Sequence, residues 1–327
     1  MQMNKNHATT IASTFALLAL TACGGSSGGS PGSALPVVTP PIVSSTQPVS
    51  VAPLKAGVYL KPWNESATTI AALPDLHPGV IRIAYPAFPL MTHNVDSKEA
   101  ARLVGIVESD IAYARSIGAL PLIVTTLGTA SPATEASVYN SRGDVAAYYA
   151  DVARRFPGMA WEIGNEVEMR SKNGDEPLLV TTYAAVFQMH ADAIRAADPT
   201  AKLVTAGTSG FAGIWIRAVL ALTHPDAVGV HPYGTAPQNY ASAVAAIGTN
   251  LPVWFTEFGT QNSPTQAQEV TDYLSHARGV VPVAVWFALS DLSADNGETF
   301  GLMDSQGNHR PSYAAAKAAF ARASVTQ

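Results

Sequence analysis

The chain has one cysteine, Cys23, among its 327 residues. A single cysteine cannot form a disulfide within the chain, so packing alone must hold the folded part together. No Cys-x-x-Cys or His-Glu-x-x-His motif occurs, and no Gly-x-Ser-x-Gly motif occurs from residue 54 onward. The sequence therefore predicts neither a catalytic metal nor a serine-hydrolase elbow, and no cofactor is expected.

Charged residues are also scarce, at 13% of the chain, with 19 Lys and Arg against 24 Asp and Glu. The resulting net charge of −5 leaves no basic surface to neutralise phosphates, so nucleic acid is not an expected partner. Hydrophobic residues make up 47% of the chain, enough to bury a large core. This composition is compatible with a neutral polymer as substrate.

The first part of the chain has the features of an exported lipoprotein. Residues 11–22 form an apolar stretch too short to span a bilayer, which predicts a signal peptide over 1–22. The segment from Leu20 to Cys23 resembles a bacterial lipobox, which implies cleavage before Cys23, lipidation of that cysteine, and an outer-membrane or periplasmic location. An ordinary signal peptide followed by a free thiol is the alternative. Residues 23–53, rich in Gly, Ser and Pro, are expected to be a tether.

Residues 54–327 alternate between short apolar runs and helical stretches, which predicts a single (β/α)₈ TIM barrel domain. A doubly wound sheet is the competitor, but it needs a Gly-rich first turn that 57–61 does not supply. The predicted strands are 56–61, 79–84, 120–126, 159–164, 202–207, 226–231, 252–257 and 281–287. The predicted helices are 97–117, 143–156, 178–197, 211–222, 238–247, 264–277 and 310–323.

Two glutamates stand at the ends of apolar runs: Glu166 after the fourth predicted strand and Glu257 at the end of the seventh. A carboxylate at such a position is costly unless it is paired or functional. Reactive groups of a TIM barrel sit at the C-terminal ends of its strands, so both side chains are expected at one face. Paired carboxylates on either side of a scissile bond are the usual apparatus of glycoside hydrolysis.

Other polar and aromatic residues are expected at the same end of the barrel. Glu162, in the fourth strand, is a possible structural partner of Arg82, as an alternative to Arg82 serving the site. The remaining strand-end candidates are Arg82, Tyr85, Asn165, His231, Tyr233, Trp286 and Asp291.

Four segments carry a resemblance to the clan A glycoside hydrolases, which are retaining (β/α)₈ barrel enzymes. The segments are Gly164-Asn165-Glu166, Thr256 to Gly259, Val230 to Tyr233, and Phe300 to Asp304. The resemblance covers roughly 55–324 and is nearest to family 39 and to the cellulase-like family 5. Val167 stands where family 39 usually has proline, and the short loops also leave family 5-like and family 128-like enzymes open.

The resemblance implies a role for each glutamate. Glu166 would be the general acid and then the general base, which requires it to be protonated near neutral pH. Glu257 would be the nucleophile that forms a covalent glycosyl intermediate.

Supporting roles are implied as well. Asn165 would bind the sugar 2-hydroxyl, Tyr233 would orient Glu257, and Arg82 would keep Glu257 ionised. Trp286 would form the floor under the sugar. His231 is expected to be a hydrogen-bonded wall of the site rather than an acid or base.

The expected activity is retaining hydrolysis of O-glycosidic bonds in a β-linked poly- or oligosaccharide, with bacterial exopolysaccharide as one candidate. The alternative is a non-catalytic, glycan-binding barrel lipoprotein. The loops at 86–97, 127–142 and 167–177 are expected to determine the sugar, and Lys172 is a candidate contact to sugar hydroxyls or an acidic glycan. A monomer is the expected state.

Overall fold

A computed structural model describes residues 53–91, 96–171, 174–294 and 297–323. The predicted signal peptide, Cys23 and the tether up to residue 52 lie outside the described residues. So do Lys172, Asp295 and Asn296.

Eight parallel strands close into one barrel in chain order, and β1 pairs with β8 to complete the ring. Each predicted strand is found with its ends within two residues of the prediction, so the (β/α)₈ barrel is confirmed. The strands are β1 Lys55–Leu60, β2 Val80–Tyr85, β3 Leu120–Thr125, β4 Ala160–Asn165, β5 Lys202–Ser209, β6 Val228–His231, β7 Val253–Phe258 and β8 Val283–Trp286.

The helices surround this barrel, and the predicted ones are confirmed with one difference. The fourth begins at Glu135 rather than at 143, because Thr134 and Ser137 form a reciprocal capping box that starts it early. The loop after β3 is therefore shorter than predicted. The helices are α1 Ala67–Ala71, α2 Leu73–Leu76, α3 Ser97–Ser116, α4 Glu135–Arg155, α5 Val180–Ala197, α6 Gly213–Leu220, α7 Tyr240–Ile247, α8 Gln266–Ala277 and α9 Pro311–Ala323.

Side chains alternate between the barrel interior and the layer beneath the helices. Val80 and Ala160 belong to the inner cluster, so Arg82 and Glu162, two residues further along β2 and β4, point into the same interior. Trp161 and Tyr85 belong to the outer cluster. Tyr85 therefore lies in the packed layer rather than in the site. Among the described helices, none combines the length and the apolar character needed to cross a membrane.

Candidate active site

Arg82 lies inside the barrel and binds three acceptors at once. Its Nε donates to Glu162 Oε2, its Nη1 to Glu257 Oε2 and its Nη2 to Asn165 Oδ1, each at 2.6 Å. Arg82 is therefore both a structural partner of Glu162 and a residue of the site, so the two alternatives do not exclude each other. Burial alone would lower the pKa of the guanidinium, but the charges of Glu162 and Glu257 outweigh burial and raise it further.

Glu162 is fully buried and is the anionic centre of the network. Its Oε1 accepts from Gly207 N at 3.0 Å and from Thr256 Oγ1 at 2.8 Å. Burial would raise the pKa of this carboxyl, but the charge of Arg82 and the nearby His231 imidazole outweigh it and lower the pKa to about 2. Glu162 therefore stays ionised even though it has no access to solvent.

Glu257 lies near the C-terminal end of β7 and accepts hydrogen bonds from two donors. Besides the Arg82 Nη1 bond, its Oε1 accepts from the Tyr233 hydroxyl at 3.1 Å. Burial, followed by the charge of Glu257, raises the pKa of the Tyr233 hydroxyl well above its usual value, so the hydroxyl remains a donor. Two donors in fixed positions hold one rotamer of the Glu257 carboxylate.

Glu166 follows directly after β4, where the chain adopts a left-handed conformation. Its φ is +46°, and Gly164 two residues earlier has φ +89°, a conformation that glycine adopts without strain. The Glu166 amide donates to Gly207 O at 2.9 Å, which fixes the turn against β5. The Glu166 side chain, partly exposed, is thereby directed into the cleft.

His231 at the end of β6 is the partner of Glu166. Its Nδ1 lies 2.9 Å from Glu166 Oε1, and its Nε2 lies 3.7 Å from Glu162 Oε1. A Cβ at residue 207 would lie 2.1 Å from His231 Nε2, so only glycine at 207 leaves room for the imidazole. Burial opposes the charged imidazole, but the charge of Glu257, the nearby Glu162 carboxylate and the hydrogen bond to Glu166 outweigh it, raising the pKa of His231 to about 9.

The electrostatics of Glu166 differ from the expectation of a protonated acid near neutral pH. Burial raises the pKa of its carboxyl, but the hydrogen bond and the charge of His231 outweigh burial, and the pKa is lowered. The lowered pKa of Glu166 and the raised pKa of His231 both favour a proton on the imidazole rather than on the carboxyl. His231 is buried as expected of a wall residue, yet its contact makes it part of the proton chemistry.

Trp286 is not the floor of the cleft that the sequence predicted. Its side chain is fully buried, packs against Phe258 and Tyr273, and donates from Nε1 to Phe300 O at 3.2 Å. Trp286 sits on the outward-facing position of β8, and the next residue, Phe287, takes the inward-facing one.

The cleft has a volume of about 700 Å³ and contains both glutamates. Three aromatic side chains missed by the sequence analysis lie at its Glu257 side: Tyr59, Phe287 and Phe300. Tyr59 stacks on Phe287 with ring centroids 5.1 Å apart, and Phe300 contacts Phe287 edge-on at 5.4 Å. Side chains alternate between the inside and the outside of the barrel along β1 and β8, and this alternation could have placed Tyr59 and Phe287 on the inside.

One further candidate, Asp291, has structural partners. Asp291 binds Arg310 through both carboxylate oxygens, at 2.7 and 2.5 Å, and accepts from Gly301 N at 3.0 Å, which fixes the loop carrying Phe300. The amide of Ser209 donates to Glu168 Oε1 at 2.5 Å. Within the described ranges, no group of three or more His, Cys, Asp or Glu side chains is arranged to hold a metal ion.

The geometry brings together two carboxylates with different partners, one beside a permanent cation and one beside a titratable imidazole. A carboxylate held ionised is suited to nucleophilic attack, and a carboxyl that exchanges a proton with a neighbour is suited to acid and base catalysis. Both glutamates lie in the same cleft.

Comparison with solved structures supports the same fold at low identity. A family 39 glycoside hydrolase from Bacteroides cellulosilyticus WH2 matches with TM-score 0.59 and 17% identity over 82% of this chain and 63% of that one. A family 39 β-xylosidase from Caulobacter crescentus matches with TM-score 0.64 and 18% identity over 83% and 72%. A family 5, subfamily 18 enzyme from Streptomyces cattleya, solved with GlcNAc, matches with TM-score 0.64 and 16% identity over 85% and 82%.

The chain thus spans less than two thirds of the length of the Bacteroides enzyme. No curated protein matches the sequence significantly. The model of the cellulase family, glycosyl hydrolase family 5, matches residues 43–291, which is well over half of the chain. This match, on a barrel that carries two glutamates in one cleft, makes the chain a member of glycosyl hydrolase family 5.

Proposed function

We propose that the protein hydrolyses β-glycosidic bonds with retention, using Glu257 as nucleophile and Glu166 as acid and base. The observation that carries the proposal is the difference between their partners, Arg82 for Glu257 and His231 for Glu166. A retaining enzyme needs one carboxylate that is ionised at the start and one carboxyl group that gives and then takes a proton.

Glu257 is suited to the first step because Arg82, a side chain that does not lose its proton, donates to its Oε2 at 2.6 Å. Attack of a Glu257 oxygen on the anomeric carbon forms a carbon–oxygen bond and breaks the bond to the leaving oxygen. The Tyr233 hydroxyl, 3.1 Å from Oε1, holds the second oxygen in place during the attack.

The His231–Glu166 pair supplies the proton. As Glu257 becomes an ester, its negative charge disappears, and with it the largest favourable influence on protonated His231. The proton then passes through Glu166 to the leaving oxygen, and the pair is left as neutral imidazole and carboxylate. In the second step Glu166 takes a proton from water, the water oxygen attacks the anomeric carbon, and the bond from that carbon to Glu257 breaks. Glu257 regains its charge, and the His231–Glu166 pair regains its proton.

The supporting residues act on the sugar. Asn165 uses Oδ1 to accept from Arg82, which leaves its amide NH₂ as a donor for the 2-hydroxyl, where contacts strengthen in the transition state. Tyr59, Phe287 and Phe300 offer apolar faces to the C–H groups of a sugar ring. The proposed substrate is a β-linked oligo- or polysaccharide, with bacterial exopolysaccharide as one candidate.

The test uses the full chain with wild-type, Glu166→Gln and Glu257→Gln proteins on β-glucans, β-mannan, xylan and bacterial exopolysaccharide. Reducing ends and the anomeric configuration of the first product are followed by colorimetry and NMR. The proposal predicts a product of unchanged configuration and loss of activity in both variants. An inverted product, or cleavage that survives Glu257→Gln, would overturn it. Equal binding of one glycan by all three proteins without any cleavage would favour the glycan-binding alternative.

A membrane location is a separate proposal, supported by the lipobox-like segment from Leu20 to Cys23. Cys23 would carry the lipid, and the chain up to residue 53 would tether the barrel to a bacterial outer membrane. Expression of the full chain and of Cys23→Ser, followed by membrane fractionation and mass spectrometry of the N-terminal peptide, tests it. An unmodified Cys23 in the mature protein would contradict it.

A further inference from the structure

The Glu166 side of the cleft ends in a recess between the loops after β3 and β4, which we call the apolar recess. A Cβ on Gly164 would lie 2.9 Å from Val167 Cγ1 and 3.0 Å from Leu127 Cδ1, so both side chains flank the backbone just before Glu166. A Cβ on Gly128 would lie 3.1 Å from Val138 Cγ2, which places Val138 beside them. The lining side chains are Leu127, Ala133, Val138, Val167, Met169 and Leu178.

The acidic groups at the rim of the recess are already engaged. Asp175 accepts from Ala133 N at 2.6 Å and from Ser171 Oγ at 2.8 Å, and Glu176 accepts from Glu135 N at 3.3 Å. These carboxylates fasten one loop to the other. Asp175 and Glu176 thus have a structural role at the rim.

The hydroxyl groups at the base of the recess are engaged as well. Thr125 Oγ1 accepts from Gly164 N at 3.3 Å. Thr126 Oγ1 lies 3.2 Å from Tyr149 Oη and accepts from Ala87 N at 3.3 Å.

The recess is held in shape by backbone hydrogen bonds between its own parts. Leu178 N donates to Val167 O at 2.8 Å, and Glu176 N donates to Ala133 O at 2.9 Å. Such a site needs little ordering before a ligand enters, which favours affinity. Among the described residues of these two loops, Ser131, Arg170 and Ser171 also line the cleft, but the side chains packed next to Glu166 are apolar. A preformed apolar lining of this kind is suited to an apolar ligand.

The opposite end of the cleft has a different lining. Tyr233 donates to Glu257, Phe300 contacts both Tyr233 and Phe287, and Tyr59 stacks on Phe287. The aromatic side chains of the described cleft therefore lie on the Glu257 side. Rings of this kind stack on sugars, so that end is suited to the glycone. Because the general acid stands beside the leaving oxygen, the leaving group extends past Glu166 into the recess.

We propose that the apolar recess binds an alkyl or aryl aglycone, so that the substrate is a β-linked sugar or oligosaccharide carried on an apolar alcohol. The placement of the leaving group beside Glu166 in this inference rests on the proposed function. The inference narrows the proposed substrate class from any β-linked glycan to glycosides of apolar alcohols. In the reaction, the bond between anomeric carbon and aglycone oxygen breaks, that oxygen takes the proton from Glu166, and water supplies the new hydroxyl of the sugar. The released product is the apolar alcohol.

Methyl, butyl and octyl β-glycosides of glucose, xylose and mannose are the probes, each sugar forming a series with a constant glycone. Binding to the full chain is measured by calorimetry below the micelle concentration, and hydrolysis by release of the free sugar. Each buried methylene favours binding severalfold, so we expect affinity and kcat/KM to rise at least about tenfold from methyl to butyl. The gain should level off once the chain outgrows the recess.

Two matched variants locate the effect. Met169→Gln, at a position with 43% exposure in the recess, should reduce the butyl-to-methyl ratio severalfold. Met189→Gln, the same change at a comparably exposed methionine of α5, should leave the ratio and the activity unchanged.

Binding that does not depend on chain length would overturn the inference whether or not any glycoside is cleaved. Internal cleavage of a polymer at a kcat/KM above that of the butyl glycoside would also overturn it. In both cases retained hydrolysis of the methyl glycosides would leave the proposed function standing. Loss of all hydrolysis together with chain-length-dependent binding would instead count against the proposed function alone.

Discussion

The two glutamates of the cleft lie at the ends of β4 and β7 of one barrel, yet they are bound by different kinds of cation. Glu257 is bound by Arg82, whose charge is permanent, whereas Glu166 is bound by His231, whose charge depends on pH. A permanent cation stabilises an anion throughout a cycle. A titratable one exchanges a proton with its partner. In the proposed mechanism, the different roles of these chemically identical side chains are set by their partners.

Both cations depend on the same buried anion. Glu162 lies 2.6 Å from Arg82 Nε and 3.7 Å from His231 Nε2. Taking such a group out of water is costly, and its presence is a sign that the network needs its charge. Glu162 therefore links the two halves of the comparison without having to touch the substrate.

The largest effect is expected for Glu257→Gln, which removes the ionised carboxylate and keeps its shape. Loss of a covalent nucleophile should lower kcat at least about 10⁴-fold, whatever the leaving group. Steady-state kinetics on an aryl and an alkyl glycoside of the same sugar provide the measurement. A loss confined to the alkyl glycoside would assign Glu257 to proton transfer and reverse the comparison.

Glu166→Gln should cost less, about 10²–10⁴-fold on an alkyl glycoside, the usual contribution of a general acid and base. An aryl leaving group of low pKa needs no protonation, so its departure should remain fast while hydrolysis of the glycosyl enzyme becomes slow. Stopped-flow measurement should then show a burst of released phenol. A steady release without a burst, and equal losses on both substrates, would contradict this role for Glu166.

The two glutamates and their strands could be found from the sequence because a parallel barrel brings every strand end to one face. Glu166 and Glu257 each follow a short apolar run, and that pattern alone places them together. Trp286 shows the limit of this reasoning. Its strand was predicted correctly, but its side chain lies on the outward-facing side, and an error of one residue exchanges Trp286 for Phe287.

The charge state of His231 could not be predicted from the sequence. It depends on the positions of Glu162, Glu166 and Glu257, which come from two other strands, and on complete burial of the ring. The early start of α4 was missed for a local reason, since Thr134 and Ser137 cap a stretch of weak helix formers. That start brings Val138 to the apolar recess.

An intermediate effect is expected for Glu162→Gln. The wild-type alkaline limb of kcat/KM should lie near pH 9, because the pKa of His231 is raised to about 9 and the His231–Glu166 pair loses its proton there. Removing the negative charge of Glu162 lowers the proton affinity of the pair, so the limb should move to lower pH by about one unit or more. The pH dependence of kcat/KM is the measurement.

Glu108→Gln is the matched control for that experiment. Glu108 is a partly buried carboxylate that accepts from Tyr85 Oη at 2.8 Å and pairs with Arg155, away from the cleft. Its loss should leave the alkaline limb in place. If Glu162→Gln lowers thermal stability but leaves the limb unmoved, its role is limited to holding the fold.

The smallest effect is expected for Tyr233→Phe, which removes one donor from Glu257 and leaves Arg82 in place. A hydrogen bond to a charged group contributes about 1.5 kcal/mol, so kcat should fall about tenfold. Glu166 keeps its partner in this variant, so the alkaline limb should not move. A shift of that limb would mean that the Glu257 and Glu166 sides communicate through Tyr233, and the permanent and titratable partners could no longer be treated as separate.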